Sequence, residues 1–452
     1  MAEEFTRLTP APEATIDKSK FDTRITLTAL RVPKTRCHAL MKHLKDFVLD
    51  MPRQRSVVND PTDEANSRLL LLKEEVKDAS FPSISPELRA ELALDDLPLT
   101  THELRLGYDY YNAEHVLRAL LPDGVEVPGS FETVGHIAHL NLRDDVMQYK
   151  HVIGRVLLDK NPRLRTIVNK VGAIESEFRV PTWELLAGSP SLVTEVKQHG
   201  VPFKLDFGEV YWNSRLEAEH KRMVESIRPG EILCDAMAGV GPFAVPAGRA
   251  GIRTYANDLN PKCYEYMKIN ARAAKVKGRV KCYNMCARAF IRALLKYGPG
   301  PPPEEDARKP ADDGKKEEKE KKPVARWAAT GDDDDDGDPP AGAVFDHVTM
   351  NLPASAIEFL DVFKGAFDRR VWGERNLPRV HVYTFKRADE THADVVKRGE
   401  GYLGGPIKDA SVHEVRDVAP NKIMLCLSFT LMEDVAFAAD DESPDSKRAK
   451  VA

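Results

Sequence analysis

Apolar and polar positions along this chain follow two periods, and the switches between them mark its elements. Residues 24–30 (RITLTAL) alternate with period two, as a half-buried strand does. Residues 37–49 (CHALMKHLKDFVL) place apolar side chains at helical spacing, and residues 67–72 (SRLLLL) fit a buried strand. Residues 104–121 add aromatics and a helix, AEHVLRALL, and a first domain ends near Pro128. A second unit starts at Gly129. In it Val146, Tyr149, Ile153, Val156 and Leu157 share one helical face, and Asn161-Pro162 ends that helix. Residues 164–171 and 178–180 are strand-like, with residues 172–177 as the turn. Residues 201–212 (VPFKLDFGEVYW) alternate again and lead into a helix, NSRLEAEHKRMVESI, closed by Arg228-Pro229-Gly230.

The pattern then turns to strand, tight turn, helix, strand over residues 231–261, EILCDAMAGVGPFAVPAGRAGIRTYANDLNP. Gly239 and Gly241 lie two apart in a run of mostly small residues, so the backbone can pass close to a ligand that faces a helix N-terminus. Asp258 ends the second strand, where a carboxylate can accept hydrogen bonds from ribose hydroxyls. The third glycine of a dinucleotide fingerprint is replaced by Pro242-Phe243-Ala244. Asp235 at the first strand tip repels phosphate and suits a cationic amino group. A ligand made of a nucleoside and an amino acid, S-adenosylmethionine, fits better than a dinucleotide. The same turn also occurs as a helix-packing turn in α/β domains. Alternation of helix and strand continues through residues 261–297 and resumes at residue 344 with a strand, followed by Asn351-Leu352-Pro353. A helix (357–367), a strand (380–385), a further helix (393–403) and a last strand (422–431) complete the chain, which is an α/β pattern with a parallel sheet.

Composition changes this picture in three places. Residues 298–340 are dominated by Pro, Lys, Glu and Asp and cannot bury a core, so a disordered acidic insertion is expected. The net charge of −5 is misleading, because residues 299–340 and 433–452 are strongly acidic. The rest of the chain is mildly basic, which is compatible with RNA binding. Six scattered cysteines form no Cys-x-x-Cys pair and read as buried free thiols. His136 and His139, three apart, lack a third ligand and read as structural rather than metal-binding. No apolar run approaches the length of a membrane span, and the first residues lack an apolar signal core. A soluble intracellular protein is expected.

The segments CDAMAGVGPF, YANDLNP and MNLP, with VYWNSRLEAEH, ESEFRVPTWELLAG and SFETVGHIAHLNLR, resemble the eukaryotic and archaeal tRNA (guanine-37-N1) methyltransferase family. The likeness covers residues 131–431, and residues 21–128 fit the family's first domain loosely. It implies a class I Rossmann-like methyltransferase domain (201–435) carrying the disordered insertion (298–342). A small α/β middle domain (129–200) and an N-terminal α/β tRNA-binding domain (20–128) precede it, with disordered ends at 1–19 and 436–452. It implies a monomer that takes tRNA as partner, with no membrane and no structural metal, in cytoplasm, nucleus and mitochondrial matrix. The implied reaction moves the methyl group of S-adenosylmethionine to N1 of guanosine 37, which supports the reading frame and starts wybutosine synthesis on phenylalanine tRNA.

That reaction needs a base for the N1 proton and a cationic partner for charge on O6. By the resemblance the base falls on Glu219 and the O6 partner on Arg179. Bland alternatives are a helix-surface pair of Glu219 with Arg215 or Arg222, and a strand-edge charge at Arg179. The resemblance also puts His220, Asp235, Gly239, Asp258, Leu259 and Asn351 at the donor, and Tyr211, Arg215 and Pro353 at the target base. One position departs. Where the family has an Asp near the adenine amino group, this chain has Cys286, followed by Ala287. Two other readings remain: an aminocarboxypropyl transferase of related fold, and a tRNA-binding protein that has lost catalysis.

Overall fold

The alternation of residues 24–30 becomes β1 (Thr23–Pro33), the longest strand of a four-stranded antiparallel sheet with β2 (Val57–Asn59), β3 (Ser67–Leu71) and β4 (Leu99–Leu106), in the order β2-β3-β1-β4. Leu30, Val32, Leu70 and Leu72 cover one face and Leu27, Ala29, Leu69 and Leu71 the other, so this sheet is buried on both sides. The computed structural model describes residues 8–172, 178–295 and 343–438. The acidic insertion, most of the 172–177 turn and the tail from residue 439 lie outside these. Residues 8–19 do not match the expected loose lead-in. Leu8 donates its amide to Pro190 O at 3.0 Å, and Leu8, Ala11 and Ile16 pack on the middle unit.

The middle unit is a mixed sheet, β5 (Glu132–Val134), β6 (Ile137–Leu140), β7 (Thr166–Val171) and β8 (Thr182–Gly188), in that order. β6 and β7 are parallel, joined by the helix Lys150–Lys160. A Cβ on Gly154 of that helix would meet Leu186 Cβ at 2.6 Å, so the glycine permits close packing on β8. Residues 178–180, expected as a strand, are not one, and β8 starts at Thr182. The domain limits also move. The helix Ala113–Leu120 buries Val116 and Leu117 against Ile153 and Ile167, so it belongs to the middle unit and the cut at 128 comes too late. The cut at 200 falls inside a hairpin, β9 (Val193–Gln198) and β10 (Val201–Asp206), whose turn residues His199 and Gly200 both have positive φ. Its Phe203 and Leu205 share one core with Val168 and Trp183 before it and Val245 and Met267 after it.

The remaining strands form a seven-stranded sheet: β11 (Ile232–Asp235), β12 (Arg253–Asn257), β13 (Val280–Tyr283), β14 (His347–Met350), β15 (Arg379–Arg387), β16 (Ser411–Ala419) and β17 (Lys422–Thr430). The order is β13-β12-β11-β14-β15-β17-β16, and only β17 runs against its neighbours. This is the expected Rossmann-like methyltransferase architecture. β11 and β14 are buried at every position, as central parallel strands flanked by helices are. The helix Pro261–Ala273 starts on a side-chain cap from Asn260 with proline in its first turn. Residues 356–363 form a 3-10 helix, and Ala436 and Phe437, placed in the tail by sequence, pack on the core instead.

The insertion leaves after the helix Ala287–Leu295 and the chain returns before β14. There Ala343 donates its amide to Leu294 O at 2.9 Å. A helix in such a unit runs against the strands, so this junction lies at the end of the sheet away from the strand carboxyl ends. Deleting residues 298–340 should leave the melting temperature within about 3 °C of the full chain by calorimetry. A larger fall would show that the segment takes part in the fold.

Candidate active site

The chain leaves β11 toward β12 and returns on its other side as β14, so the loops after these two strands diverge. In a parallel sheet such a reversal opens a crevice at the strand carboxyl ends. A cavity of about 450 Å³ occupies it, a size suited to a small-molecule ligand. Ala236–Val240 and Asp258 form one side, and Asn351–Ala354 another. His220 approaches from the helix Glu217–Glu225 and Leu216 from the turn just before it, and Phe385 and Met424 from β15 and β17.

The glycine turn is held by the neighbouring strand end. Gly239 (φ 56°) donates its amide to Asp258 Oδ2 at 2.8 Å, and Asn260 donates to Oδ1 at 2.9 Å. No atom lies within 4 Å of where a Gly239 Cβ would sit, so bare backbone faces the cavity there. Burial raises the Asp258 pKa, and the two amides oppose that shift. Asn257, a residue the motif reading passed over, is fully buried and binds Ala236 O and Met285 O through its amide nitrogen and the Met285 amide through its oxygen. It fastens together the loops after β11 and β13. Its signal in the sequence is an Asn that closes the strand directly before the motif carboxylate Asp258.

Asp235 is corrected. It does not line the cavity but lies beneath it, fully buried, with Thr349 Oγ1 donating to Oδ1 at 3.0 Å and Oδ2 without a hydrogen-bond partner among the described residues. Burial pushes its pKa up to about 7, with the Asp258 charge adding to the shift and Thr349 opposing it. It braces the floor and cannot meet a ligand amino group directly.

Leu259, Cys286, Ala287, Asn351 and Pro353 all line the cavity. The Asn351 side-chain oxygen is buried with no hydrogen-bond partner among the described residues, an acceptor free for a ligand N–H. Cys286 is exposed, whereas Cys234, Cys263 and Cys426 are buried. The Asn284 amide nitrogen donates to Asp258 O and Leu259 O at 2.7 and 3.0 Å, so only its side-chain oxygen could act as an acceptor in place of the missing carboxylate. His220 reaches the wall with Nδ1 3.3 Å from Gln198 Oε1. Burial, with a smaller contribution from His199, pushes its pKa down to about 3, so it is neutral at pH 7.

At the mouth stand Arg179 and Tyr211. Arg179 has φ 58°, a left-handed conformation that is strained for a side chain of this size. Phe178, Tyr211, Leu259 and Val418 expose apolar surface around the same opening, where a planar base can stack. Arg416 and Lys422 join Arg179 there, and Lys422 Nζ lies 4.0 Å from the Phe385 ring centroid. No sequence motif marked these β16 and β17 residues. Arg215 is corrected, because it does not line the cavity and instead pairs with Glu132 of β5.

Glu219 does not line the cavity either. It sits one layer behind the wall, among Leu216, Phe243 and Met424, which do. Tyr383, which packs against Phe243, donates to Glu219 Oε1 at 2.7 Å. Arg222 donates to both oxygens at 2.6 Å. The helix pair foreseen as a bland alternative therefore forms, but in a buried setting. Arg179 and Glu219 approach the cavity from separate segments without touching. His136 and His139 take ordinary partners, Thr194 and Trp183, and no group of three His, Cys, Asp or Glu side chains converges among the described residues.

Comparison with known proteins agrees with this architecture. The TYW2 N-terminal domain family matches residues 113–191, starting at the helix that packs on the middle unit, and the TRM5/TYW2 methyltransferase domain family matches residues 194–296. The chain is 40% identical to a tRNA (guanine(37)-N(1))-methyltransferase of Phytophthora infestans, over 97% of this chain and 98% of that one. With the enzyme of the same name from Schizosaccharomyces pombe it shares 38% over 94% and 95%, and with the one from Homo sapiens 36% over 95% and 78%. Its fold is similar to that of Trm5b from Pyrococcus abyssi (TM-score 0.53, 19% identity, 89% of this chain and 99% of that one). It is also similar to that of aTrm5, solved as a complex with tRNALeu (TM-score 0.59, 18% identity, same coverage).

The buried Asp235 sets a pH dependence. Its native pKa of about 7 lies above the ordinary 3.8, so between these values the native state holds more proton than the unfolded chain. Stability from this group is full below about pH 4 and falls as pH rises to 7. Asp235→Asn should therefore gain on the parent by about 2–3 kcal/mol between pH 5 and pH 8 in urea unfolding. A difference that stays constant across that range would contradict it.

Proposed function

The chain belongs to the tRNA (guanine(37)-N(1))-methyltransferase family and methylates N1 of guanosine 37 in tRNA, and from that premise we propose how its cavity does so. The single observation that carries the proposal is the juxtaposition of a nucleoside-sized cavity at the β11/β14 reversal with a mouth of apolar and cationic side chains. S-adenosylmethionine fits the inner part. Bare backbone at Gly239, the Asp258 carboxylate and the orphaned Asn351 oxygen are suited to ribose and amine donors. Bound there, it supplies an electrophilic methyl group on a sulfonium.

The residues of the chain do the rest. Guanine is neutral and carries a proton on N1, so the N1 lone pair becomes available only when a base removes that proton. Glu219 takes it. Arg179 donates hydrogen bonds to O6, where negative charge collects as N1 loses its proton. Tyr211 and Phe178 offer faces on which the flipped base can stack, and Pro353 fixes the loop that presents Asn351. His220, neutral and buried, shapes the donor pocket without adding positive charge near a sulfonium. Gly239, Asp258 and Asn351 would hold the donor so that its methyl group could pass to N1, with the bonding electrons remaining on the sulfur.

The wider reading keeps the chain a monomer with tRNA as partner. Methylation beside the anticodon would support the reading frame and supply the first intermediate of wybutosine synthesis. By family resemblance the chain would work in cytoplasm, nucleus and mitochondrial matrix. The test of the reaction is nucleoside identification by mass spectrometry after incubation of a tRNA transcript with methyl-labelled donor. Label in 1-methylguanosine supports the reading, and an added mass other than methyl would replace it with aminocarboxypropyl transfer.

Two variants check the parts. Glu219→Gln should slow single-turnover methyl transfer by about 100-fold or more without weakening tRNA binding. A rate like that of the parent would remove Glu219 from the mechanism. Cys286→Asp should tighten donor binding by about tenfold, because a charge-assisted hydrogen bond replaces a weak thiol contact. Unchanged affinity by titration calorimetry would reject that role.

A further inference from the structure

The assigned base is stored where it cannot work. The Glu219 side chain is 4% exposed, and both of its oxygens are occupied by the Arg222 guanidinium at 2.6 Å, with the Tyr383 hydroxyl also on Oε1. A carboxylate held by a guanidinium fork is a poor proton acceptor, because its charge is already matched and the lone pairs it would use are taken. The pair must open before guanine N1 can give up its proton. Opening is costly unless the freed cation finds another anion.

The four groups around this carboxylate differ in what they can do. Tyr383 is wholly buried, and burial raises its pKa far above the usual phenol range, so it stays as a fixed donor. Cys426 is buried beside it and neutral at pH 7, its thiol pushed up to about 11 by burial. His413 on β16 stands 3.4 Å from Oε2, in contact with solvent. Arg222 is the strong partner, and its side chain is 37% exposed. It can leave toward solvent without moving the core.

We propose that Arg222 is a latch on the base, holding Glu219 in the free enzyme and releasing it when a phosphate of the bound RNA takes the guanidinium. This rests on the reading of Glu219 as the general base. The exchange replaces one anion by another in the same fork geometry, so the cost of opening the buried pair is met by the new contact. Glu219, still held by Tyr383, then turns toward the cavity, which its helix neighbour His220 already lines, to face the base. Proton removal is thereby coupled to binding of a polyanion, and a free nucleobase does not trigger it. Arg222 acts through Glu219 and is a positioning residue.

The test compares the full-length parent with Arg222→Met, Arg222→Gln and Glu219→Gln, using one tRNA transcript. Two quantities are read, the salt dependence of tRNA affinity and the single-turnover rate. Losing Arg222 should lower the slope of log affinity against log salt by about one, the loss of a single phosphate contact. Glu219→Gln should bind tRNA about tenfold more tightly than the parent, because no buried pair has to open. An Arg222 variant with the full parental slope, or a slow Glu219→Gln with parental affinity, overturns the latch while leaving the base in place. A Glu219→Gln that transfers methyl at the parental rate overturns the base and the latch with it. Should Arg222→Met fail to fold, Arg222→Gln and the Glu219→Gln affinity decide the matter.

Discussion

The hydrogen bond that Gly239 donates to Asp258 ties the loop after β11 to the end of β12, and the cavity takes its shape from that tie. A backbone amide and a carboxylate meeting at a strand end leave the turn no freedom to collapse into the space above it. Asn257 repeats the device one residue earlier, joining the loops after β11 and β13 through three hydrogen bonds. Asp235 supports the same floor from beneath at an electrostatic cost, since burial and the charge of Asp258 both resist its ionisation. The site is therefore a rigid floor of strand ends under a more adaptable mouth.

The two halves of the proposed reaction divide along that line. In that reading the donor lies on the floor, which is built from backbone amides and a strand-end carboxylate. The guanine would meet the mouth, where Arg179 comes from the middle unit and Tyr211 from the segment that follows the β9–β10 hairpin. Arg215 contributes differently from what its motif suggested. By pairing with Glu132 it links the segment before the helix Glu217–Glu225 to β5 of the middle unit. The shared core around Phe203, Trp183 and Met267 fixes the same relation in apolar contacts. The base pocket thus depends on the packing of one unit against the next.

Much of this was legible in the chain because buried parallel strands leave a strong signal. β11 opens on a short apolar run, β12 and β14 follow at the spacing of a strand–helix alternation, and the glycine turn between β11 and β12 has few alternatives. β9 and β16 were not recognised. β16 is an edge strand with little buried surface, and so carries no clean alternation. Residues 178–180 have strand composition but carry Arg179 at positive φ, which no period reveals. The cuts at 128 and 200 failed because cores are shared across them, and composition does not change where a core is shared. Ten of the thirteen named site residues line the cavity. The three that do not, Asp235, Arg215 and Glu219, are all charged. Their motif fixes their position in the chain, but their direction is set by partners distant in sequence, Thr349, Glu132 and Tyr383.

The bond between Ala343 and Leu294 has an evolutionary consequence. It sets the end of the helix Ala287–Leu295 beside the chain that enters β14. Closing a flexible loop costs only about 0.6 kcal/mol more each time its length doubles. Residues can therefore accumulate or disappear at this junction with almost no effect on folding stability. The junction is a place where descendants of this gene can differ widely in length, and acquire new linear signals, while the catalytic sheet is inherited unchanged.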